Sequence, residues 1–334
     1  MNELLRCAVI GGGAWGTAIA DRFARNGHDT LLWAREADVA DSVNTQHENK
    51  RFLGGAPLAQ TLRATNDMSE ALHGADVVVY AAPSQVLRPV VASGTHLIKP
   101  GAVVGVATKG IERDTLMLMT ELVENEAPGF AVVALSGPSF AMEVATGQPT
   151  AIVSACKDLD SAHRVQHALS SPAFRVYTTD DIVGVELGGS LKNVMAVATG
   201  ILDGLGLGYN PRAALITRGL AEMTRLGVAL GARAETFAGL AGLGDLVLTC
   251  TGALSRNRAV GVAVGQGLTL KQALEGKESV AEGVANAESA RALAARAGVE
   301  MPIVEATYRI LFDGQPPREA IVELMGRELR PERD

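Results

Sequence analysis

A lone cation stands in an otherwise small and apolar run, Glu186-Leu187-Gly188-Gly189-Ser190-Leu191-Lys192-Asn193-Val194-Met195-Ala196. A lysine withdrawn from water beside a second cation loses proton affinity, which suits it to exchange a proton with an alcohol or carbonyl oxygen. The alternative is a lysine that lays its stem on apolar surface and keeps its ammonium in water. Further on, Gly242-Leu243-Gly244-Asp245-Leu246-Val247-Leu248-Thr249-Cys250-Thr251 places one carboxylate among glycines and apolar residues. Asp245 has three roles open to it: orienting Lys192, hydrogen-bonding a substrate hydroxyl, or capping a turn. Leu254-Ser255-Arg256-Asn257-Arg258 then opens a helix. Ser255 is a good N-cap, and a helix N-terminus beside Arg256 is an anion site; the plainer reading is a capped helix with surface arginines.

The start of the chain carries a different chemistry. Cys7-Ala8-Val9-Ile10 runs into Gly11-Gly12-Gly13-Ala14-Trp15-Gly16 and then into Thr17-Ala18-Ile19-Ala20-Asp21-Arg22-Phe23. Gly11, Gly13 and Gly16 keep the G-x-G-x-x-G spacing that sets a dinucleotide pyrophosphate on a helix N-terminus. The first glycine makes the tight turn, the second admits phosphate oxygens to the backbone, and the third lets helix pack on strand. The helix stops at Asn26-Gly27, and Thr30-Leu31-Leu32-Trp33-Ala34 completes a strand–helix–strand unit. A dinucleotide cofactor is therefore expected. Its diphosphate has a site of its own, so the second anion site at Ser255-Arg256 points to a phosphorylated substrate.

The end of the second strand discriminates between cofactors. A carboxylate there holds the ribose 2′-hydroxyl of NAD, whereas this chain has Ala34-Arg35. Arg35 can pair with a 2′-phosphate, so NADPH is the expected cofactor with NADH as the alternative. Glu36 is expected to point elsewhere if Arg35 faces the cofactor. Arg35 as a plain surface residue is the competing reading.

These groups need a scaffold. Strand-like runs recur at 76–81, 102–107, 131–135 and 150–155, with a helix predicted over 114–126. Strands alternating with helices imply a mostly parallel sheet, whose ligands lie beyond the strands' carboxyl ends. The residues following those strands are the glycine turn, Ala82-Pro83-Ser84, Thr108-Lys109-Gly110 and Ser136-Gly137-Pro138-Ser139-Phe140-Ala141. Small residues, a lone lysine and hydroxyls thus converge on one rim. No histidine lies in these loops, so another residue must carry the proton; His163 and His167 share a helix face away from the rim. Beyond about Gly184 the pattern is helical, over 190–205, 211–229, 256–264, 286–297, 302–312 and 317–329, with prolines near starts and glycines past ends. The fold class is an α/β Rossmann-type N-terminal domain with a mostly parallel sheet plus an all-α C-terminal domain. The division falls at residues 1–185 and 186–334.

Composition narrows the setting. Hydrophobic residues make up 47% of the 334 and aromatics 4%, so alanine, glycine, leucine and valine do most of the packing. A net charge of −7 argues against binding a nucleic-acid backbone. No apolar run is long enough to span a bilayer, and the N-terminus enters a strand without a signal-peptide layout. Cys7, Cys156 and Cys250 are far apart, which fits a reducing cytoplasm and supports neither a metal site nor a disulfide framework.

Read together, these motifs closely resemble the bacterial NAD(P)-dependent glycerol-3-phosphate dehydrogenase family. The matching pieces are Gly11 to Ala18, Thr108-Lys109-Gly110-Ile111-Glu112, Leu135 to Ala141, Leu191-Lys192-Asn193-Val194, Gly242 to Thr251, Ser255-Arg256-Asn257 and Ala281-Glu282-Gly283, in family order across most of the chain. The resemblance implies reversible reduction of dihydroxyacetone phosphate to sn-glycerol 3-phosphate, the backbone precursor of glycerophospholipids. It implies Lys192 as catalytic base, and substrate contacts at Lys109, Gly137, Ser139, Lys192, Asp245, Ser255, Arg256 and Asn257. Cofactor contacts fall on Gly11, Gly13, Ala14, Trp15, Gly16, Arg35, Lys109, Ala141, Arg256 and Glu282, with Val280 lining the same region. The family often has serine where this chain has Ala14, so any hydroxyl contact there is absent while backbone contacts remain. The nearest rival is a β-hydroxyacid dehydrogenase, which shares the layout and a catalytic lysine. A rival of another class is a redox-sensing protein that holds NAD(H) without chemistry. Apolar surface on the helical part leaves a homodimer open.

Overall fold

The computed structural model describes residues 4–276, 281–329, 331 and 332. Its strands are β1 (Arg6–Ile10), β2 (Asp29–Trp33), β3 (Arg63–Thr65), β4 (Val77–Tyr80), β5 (Val103–Val106), β6 (Ala131–Ser136), β7 (Thr150–Ala155) and β8 (Phe174–Thr179). Among the described residues they form one eight-stranded sheet in the order β3-β2-β1-β4-β5-β6-β7-β8. All neighbours are parallel except β6 and β7. The chain order reverses between β1 and β4, the switch point where such sheets bind nucleotides. Because β1 and β4 are covered on both faces, Cys7 to Ile10 and Val77 to Tyr80 are fully buried.

The helices within this half are α1 (Ala14–Arg25), α2 (Ala37–Gln46), α3 (Met68–Leu72), α4 (Leu87–Gly94), α5 (Met119–Glu126), α6 (Ala141–Ala145) and α7 (Leu159–Leu169). One apolar layer joins Cys7, Val9, Val77 and Val79 to Phe23 of α1 and Val165 of α7. The opposite layer joins Ala8, Ile10, Val78 and Tyr80 to Val91 of α4 and Leu122 of α5. His163 and His167 lie exposed on α7, away from the rim as expected.

The helical half comprises α8 (Ile182–Gly204), α9 (Tyr209–Ala229), α10 (Ala234–Phe237), a π-helical turn (Leu240–Gly244), α11 (Asp245–Thr251), α12 (Arg256–Gly265), α13 (Leu270–Leu274), α14 (Glu282–Ala297), α15 (Pro302–Phe312) and α16 (Pro317–Met325). Its axis is α8, buried along nearly its whole length. A helix hydrophobic on all sides is a core element. Helix α12 crosses it backbone to backbone: a Cβ on Gly200 would stand 2.1 Å from the Arg258 carbonyl oxygen, and one on Gly204 2.3 Å from that of Val262. Only glycine allows that approach.

Several boundaries depart from the sequence reading. β8 is an added strand whose Phe174 and Val176 face inward while Arg175 and Tyr177 face out, a period-two pattern short enough to pass unnoticed. β3 is three residues long and lacks an apolar run. The helix expected over 114–126 begins only at Met119, because Ile111 bridges Leu118 and Leu116 takes a left-handed φ of 60°. Helix α8 starts at Ile182 rather than 190: Asp181 caps it by accepting from the Gly184 amide, and Gly184, Gly188 and Gly189 serve close packing within it. Residue 186 lies inside this helix. The last helix stops at Met325 rather than 329.

Candidate active site

The carboxyl edge of the sheet and the axis of the helical half meet at one carboxylate. Lys109 follows β5, and its ammonium donates to Asp245 Oδ2 at 2.5 Å and to the Gly137 carbonyl, beyond β6, at 3.2 Å. Lys192, on buried α8, donates to Asp245 Oδ1 at 2.7 Å and to Thr249 Oγ1 at 2.7 Å. Asp245 is 1% exposed and stands in the first turn of α11, directly after the π-helical turn. Helix α8 is held to the sheet by Ser190 Oγ, which donates to the Gly110 carbonyl, and by Glu186, which accepts from the Thr120 amide and hydroxyl. These anchors fix the height of Lys192 against Lys109.

The sequence left three roles open for Asp245; in the structure its two carboxylate oxygens accept from Lys192 and from Lys109. Snorkelling is ruled out for Lys192, which is 8% exposed. Burial lowers its pKa to about 8; Asp245 opposes that shift and Lys109 adds to it. Burial would raise the Asp245 pKa, but the two ammoniums outweigh burial and hold it below the ordinary value. Neighbouring Cys250 is pushed up to about 12 by burial and stays a neutral thiol. Each ammonium has three hydrogens and spends two on protein acceptors, so each keeps one for a substrate oxygen. The arrangement can donate and recover a proton next to a second fixed cation.

Thr249 escaped the sequence reading. Its hydroxyl accepts from Lys192 and donates to the Asp245 carbonyl one helical turn back, at 2.7 Å. The signal was its i+4 spacing from Asp245, which puts both on one helix face.

The glycine turn fits a dinucleotide. Gly11 takes φ +133°, and a Cβ there would stand 2.8 Å from the Ala81 backbone. A Cβ on Gly16 would come within 2.0 Å of the Gly11 carbonyl oxygen, so α1 can pack here only through glycine. Gly13 is different: a Cβ would meet nothing within 4 Å. It caps α1 without a side-chain acceptor, so the first-turn amides of Ala14 and Trp15 remain for an anion. Trp15 Nε1 and Ser136 Oγ are buried without a hydrogen-bond partner, orphaned polar atoms of the kind a ligand satisfies. Ala141 is the first residue of α6 and packs against the same apolar layer as Trp15. Arg35 lies at the end of β2 with its side chain 82% exposed, paired to Glu36 at 2.7 Å. The Glu36 carboxylate, its side chain 19% exposed, is the acceptor in that pair.

The phosphate end is arranged less simply. Ser255 caps α12 by accepting from the Arg258 amide, and Arg256 follows it. Among the described residues Arg256 makes no side-chain hydrogen bond or ion pair; surrounding protein holds its pKa below the ordinary value against the pull of Glu282. Asn257 is already committed: it donates to Asn193 Oδ1 at 2.9 Å and accepts from the Gly283 amide at 2.9 Å. Ser139 donates to the Gly137 carbonyl. Glu282, at the head of α14, accepts from the Ser84 amide and hydroxyl at 3.1 and 2.5 Å, tying the helical half to the loop after β4. Val280 lies outside the described residues.

Comparison with known proteins gives a consistent picture. Residues 6–162 match the family model described as NAD-dependent glycerol-3-phosphate dehydrogenase N-terminus, and residues 181–322 the corresponding C-terminus model. The chain is 54% identical over 333 residues to a glycerol-3-phosphate dehydrogenase (NAD(P)+) of Geobacter sulfurreducens, covering 98% of this chain and 99% of the relative. It is 52% identical to one of Nitratidesulfovibrio vulgaris, covering 98% of this chain and all of that one. The crystal structure of glycerol-3-phosphate dehydrogenase from Coxiella burnetii superposes with a TM-score of 0.93 at 41% identity, over 97% of this chain and 99% of the other.

Proposed function

The chain belongs to the NAD-dependent glycerol-3-phosphate dehydrogenase family, and from that premise we propose the roles of its residues in the reversible NAD(P)-dependent reduction of dihydroxyacetone phosphate to sn-glycerol 3-phosphate. The protein is an oxidoreductase of that reaction, which supplies the glycerophospholipid backbone. The observation that carries the assignment of roles is Asp245 held between Lys109 and Lys192.

Gly11, Gly13, Ala14, Trp15 and Gly16 hold the cofactor diphosphate, and Arg35 the adenosine ribose end. Lys109, Ala141, Arg256 and Glu282 complete its surroundings. When bound, the reduced nicotinamide supplies the hydride that reaches the carbonyl carbon. Lys192 gives its proton to the carbonyl oxygen as negative charge develops there, and takes it back from the alcohol in reverse. A pKa near 8 suits both directions at neutral pH. Lys109 places its fixed positive charge beside the same oxygen, and Asp245 keeps both ammoniums in place. The substrate phosphate is gripped by Arg256 and the α12 N-terminus at Ser255. Gly137 and Ser139 line the substrate, and Asn257 acts by bracing Asn193 next to Lys192.

The test is steady-state oxidation of NADPH and of NADH with dihydroxyacetone phosphate, against short hydroxyacid-derived carbonyls as controls. Lys192→Ala should lower turnover about 100- to 10,000-fold while NADPH still binds. Wild-type turnover in that variant would overturn the assignment. The remaining parts of the proposal are coarser. The halves 1–185 and 186–334 act as cofactor and substrate domains. Among the described residues no single helix is long and apolar enough to cross a membrane. Cytoplasmic residence is supported by buried free Cys7, Cys156 and Cys250. A homodimer is supported by exposed Val322 and Met325 on α16.

A further inference from the structure

The geometry at the end of β2 points to Glu36 as a determinant of cofactor choice: we infer that it holds Arg35 in reserve, so that one strand end accepts either a 2′-phosphate or a free 2′-hydroxyl. The inference rests on the reading that the glycine turn holds NAD(P).

The segment is pinned beside that turn. The Gly11 amide donates to the Trp33 carbonyl at 3.0 Å, the Ala34 amide donates to the Thr65 carbonyl at 3.0 Å, and a Cβ on Gly12 would stand 2.5 Å from that of Ala34. Residues 35 and 36 therefore leave the sheet at a fixed place, next to the anion-binding amides of α1. Arg35 donates through Nε and Nη2 to the same oxygen, Glu36 Oε1, at 3.2 and 2.7 Å. Among the described residues Arg35 has no other partner, and Glu36 Oε2 accepts no hydrogen bond. The Glu36 side chain is 19% exposed and that of Arg35 82%, so the carboxylate is the fixed member and the guanidinium the movable one. The Glu36 carbonyl also accepts from Val39 and Ala40 in the first turn of α2, which keeps its backbone in place.

The two ends of this pair favour opposite ligands. A ribose 2′-hydroxyl donates to a carboxylate, and Oε2 is available for it while Arg35 stays on Oε1. A 2′-phosphate offers only acceptors and carries close to two negative charges; it draws the guanidinium outward and is repelled by the carboxylate. Glu36 therefore favours the unphosphorylated cofactor twice, by accepting its hydroxyl and by competing for Arg35. Because Arg35 neutralises Glu36, neither cofactor is excluded.

The experiment is direct titration of the whole protein with NADPH and with NADH, followed by the cofactor's fluorescence, so that it reads binding and not turnover. Glu36→Gln should tighten NADPH and weaken NADH, moving the ratio of their Kd values roughly three- to tenfold toward NADPH. Arg35→Gln should move the ratio the other way. An unchanged ratio in Glu36→Gln, or equal changes in both Kd values, overturns the inference. If the wild type binds neither cofactor, the dinucleotide reading falls and takes this one with it. If it binds both but does not reduce dihydroxyacetone phosphate, the reaction falls and the Kd ratio still decides the role of Glu36.

Discussion

Asp245 holds two ammoniums at hydrogen-bond distance inside the protein, whereas Arg256 holds no side-chain partner among the described residues. Both regions gather positive charge, yet they are built on opposite electrostatic plans. The lysine cluster is neutralised from within, because two buried cations without a counter-charge would not tolerate removal from water. Its ammoniums are held in place by the protein's own acceptors, the kind of fixed arrangement that favours proton transfer. Arg256 is exposed, so water does for it what Asp245 does for the lysines, with Glu282 adding a pull of its own.

The sharpest way to break this contrast is Asp245→Asn. It preserves shape but removes the charge from between Lys109 and Lys192. Unfolding by denaturant should show a loss of about 3–5 kcal/mol, with turnover lost as well. A variant as stable as the wild type would mean that the cluster is not neutralised from within. Arg256→Ala makes the opposite case. Stability should hold within about 0.5 kcal/mol, since among the described residues no side-chain hydrogen bond or ion pair is lost. The KM for dihydroxyacetone phosphate should rise about ten- to hundredfold, the worth of one charged hydrogen bond. A large loss of stability would show that the arginine is paired after all.

The smallest effect is on pH dependence. Lys192 titrates near 8, so reduction, which needs it protonated, should fall as pH rises through that value, and glycerol 3-phosphate oxidation should rise. Lys109 lowers that pKa by charge repulsion, and it also shares Asp245. Lys109→Gln should therefore carry both midpoints to higher pH in profiles of kcat/KM. A midpoint that stays in place would separate the two lysines.

How much of this was legible beforehand depends on how local each feature is. The glycine turn, β1, β2 and the α12 cap sit within short windows, and their spacing reports their geometry directly. Helix α8 was harder, since glycines at 184, 188 and 189 suggest a break until packing explains them. β8 and β3 were missed because edge and three-residue strands carry little apolar signal. Among the site residues, Thr249 was overlooked, as were the bonds of Asn257 to Asn193 and to the Gly283 amide. Neither fact follows from residue type. Each depends on what a distant segment places opposite the side chain.

The sequence by itself determined that this chain builds a nucleotide-binding sheet followed by helices, because backbone periodicity and the glycine turn are local properties. It also supplied the lysines, the aspartate and the arginines. Only the tertiary structure decided that Lys109, Lys192 and Asp245 form a single unit. The residues are 53 to 136 positions apart, and nothing short of the fold brings them within 3 Å. It alone decided, too, that the Glu36 carboxylate is largely covered while its neighbour Arg35 stays exposed, since burial depends on what distant segments pack over a side chain.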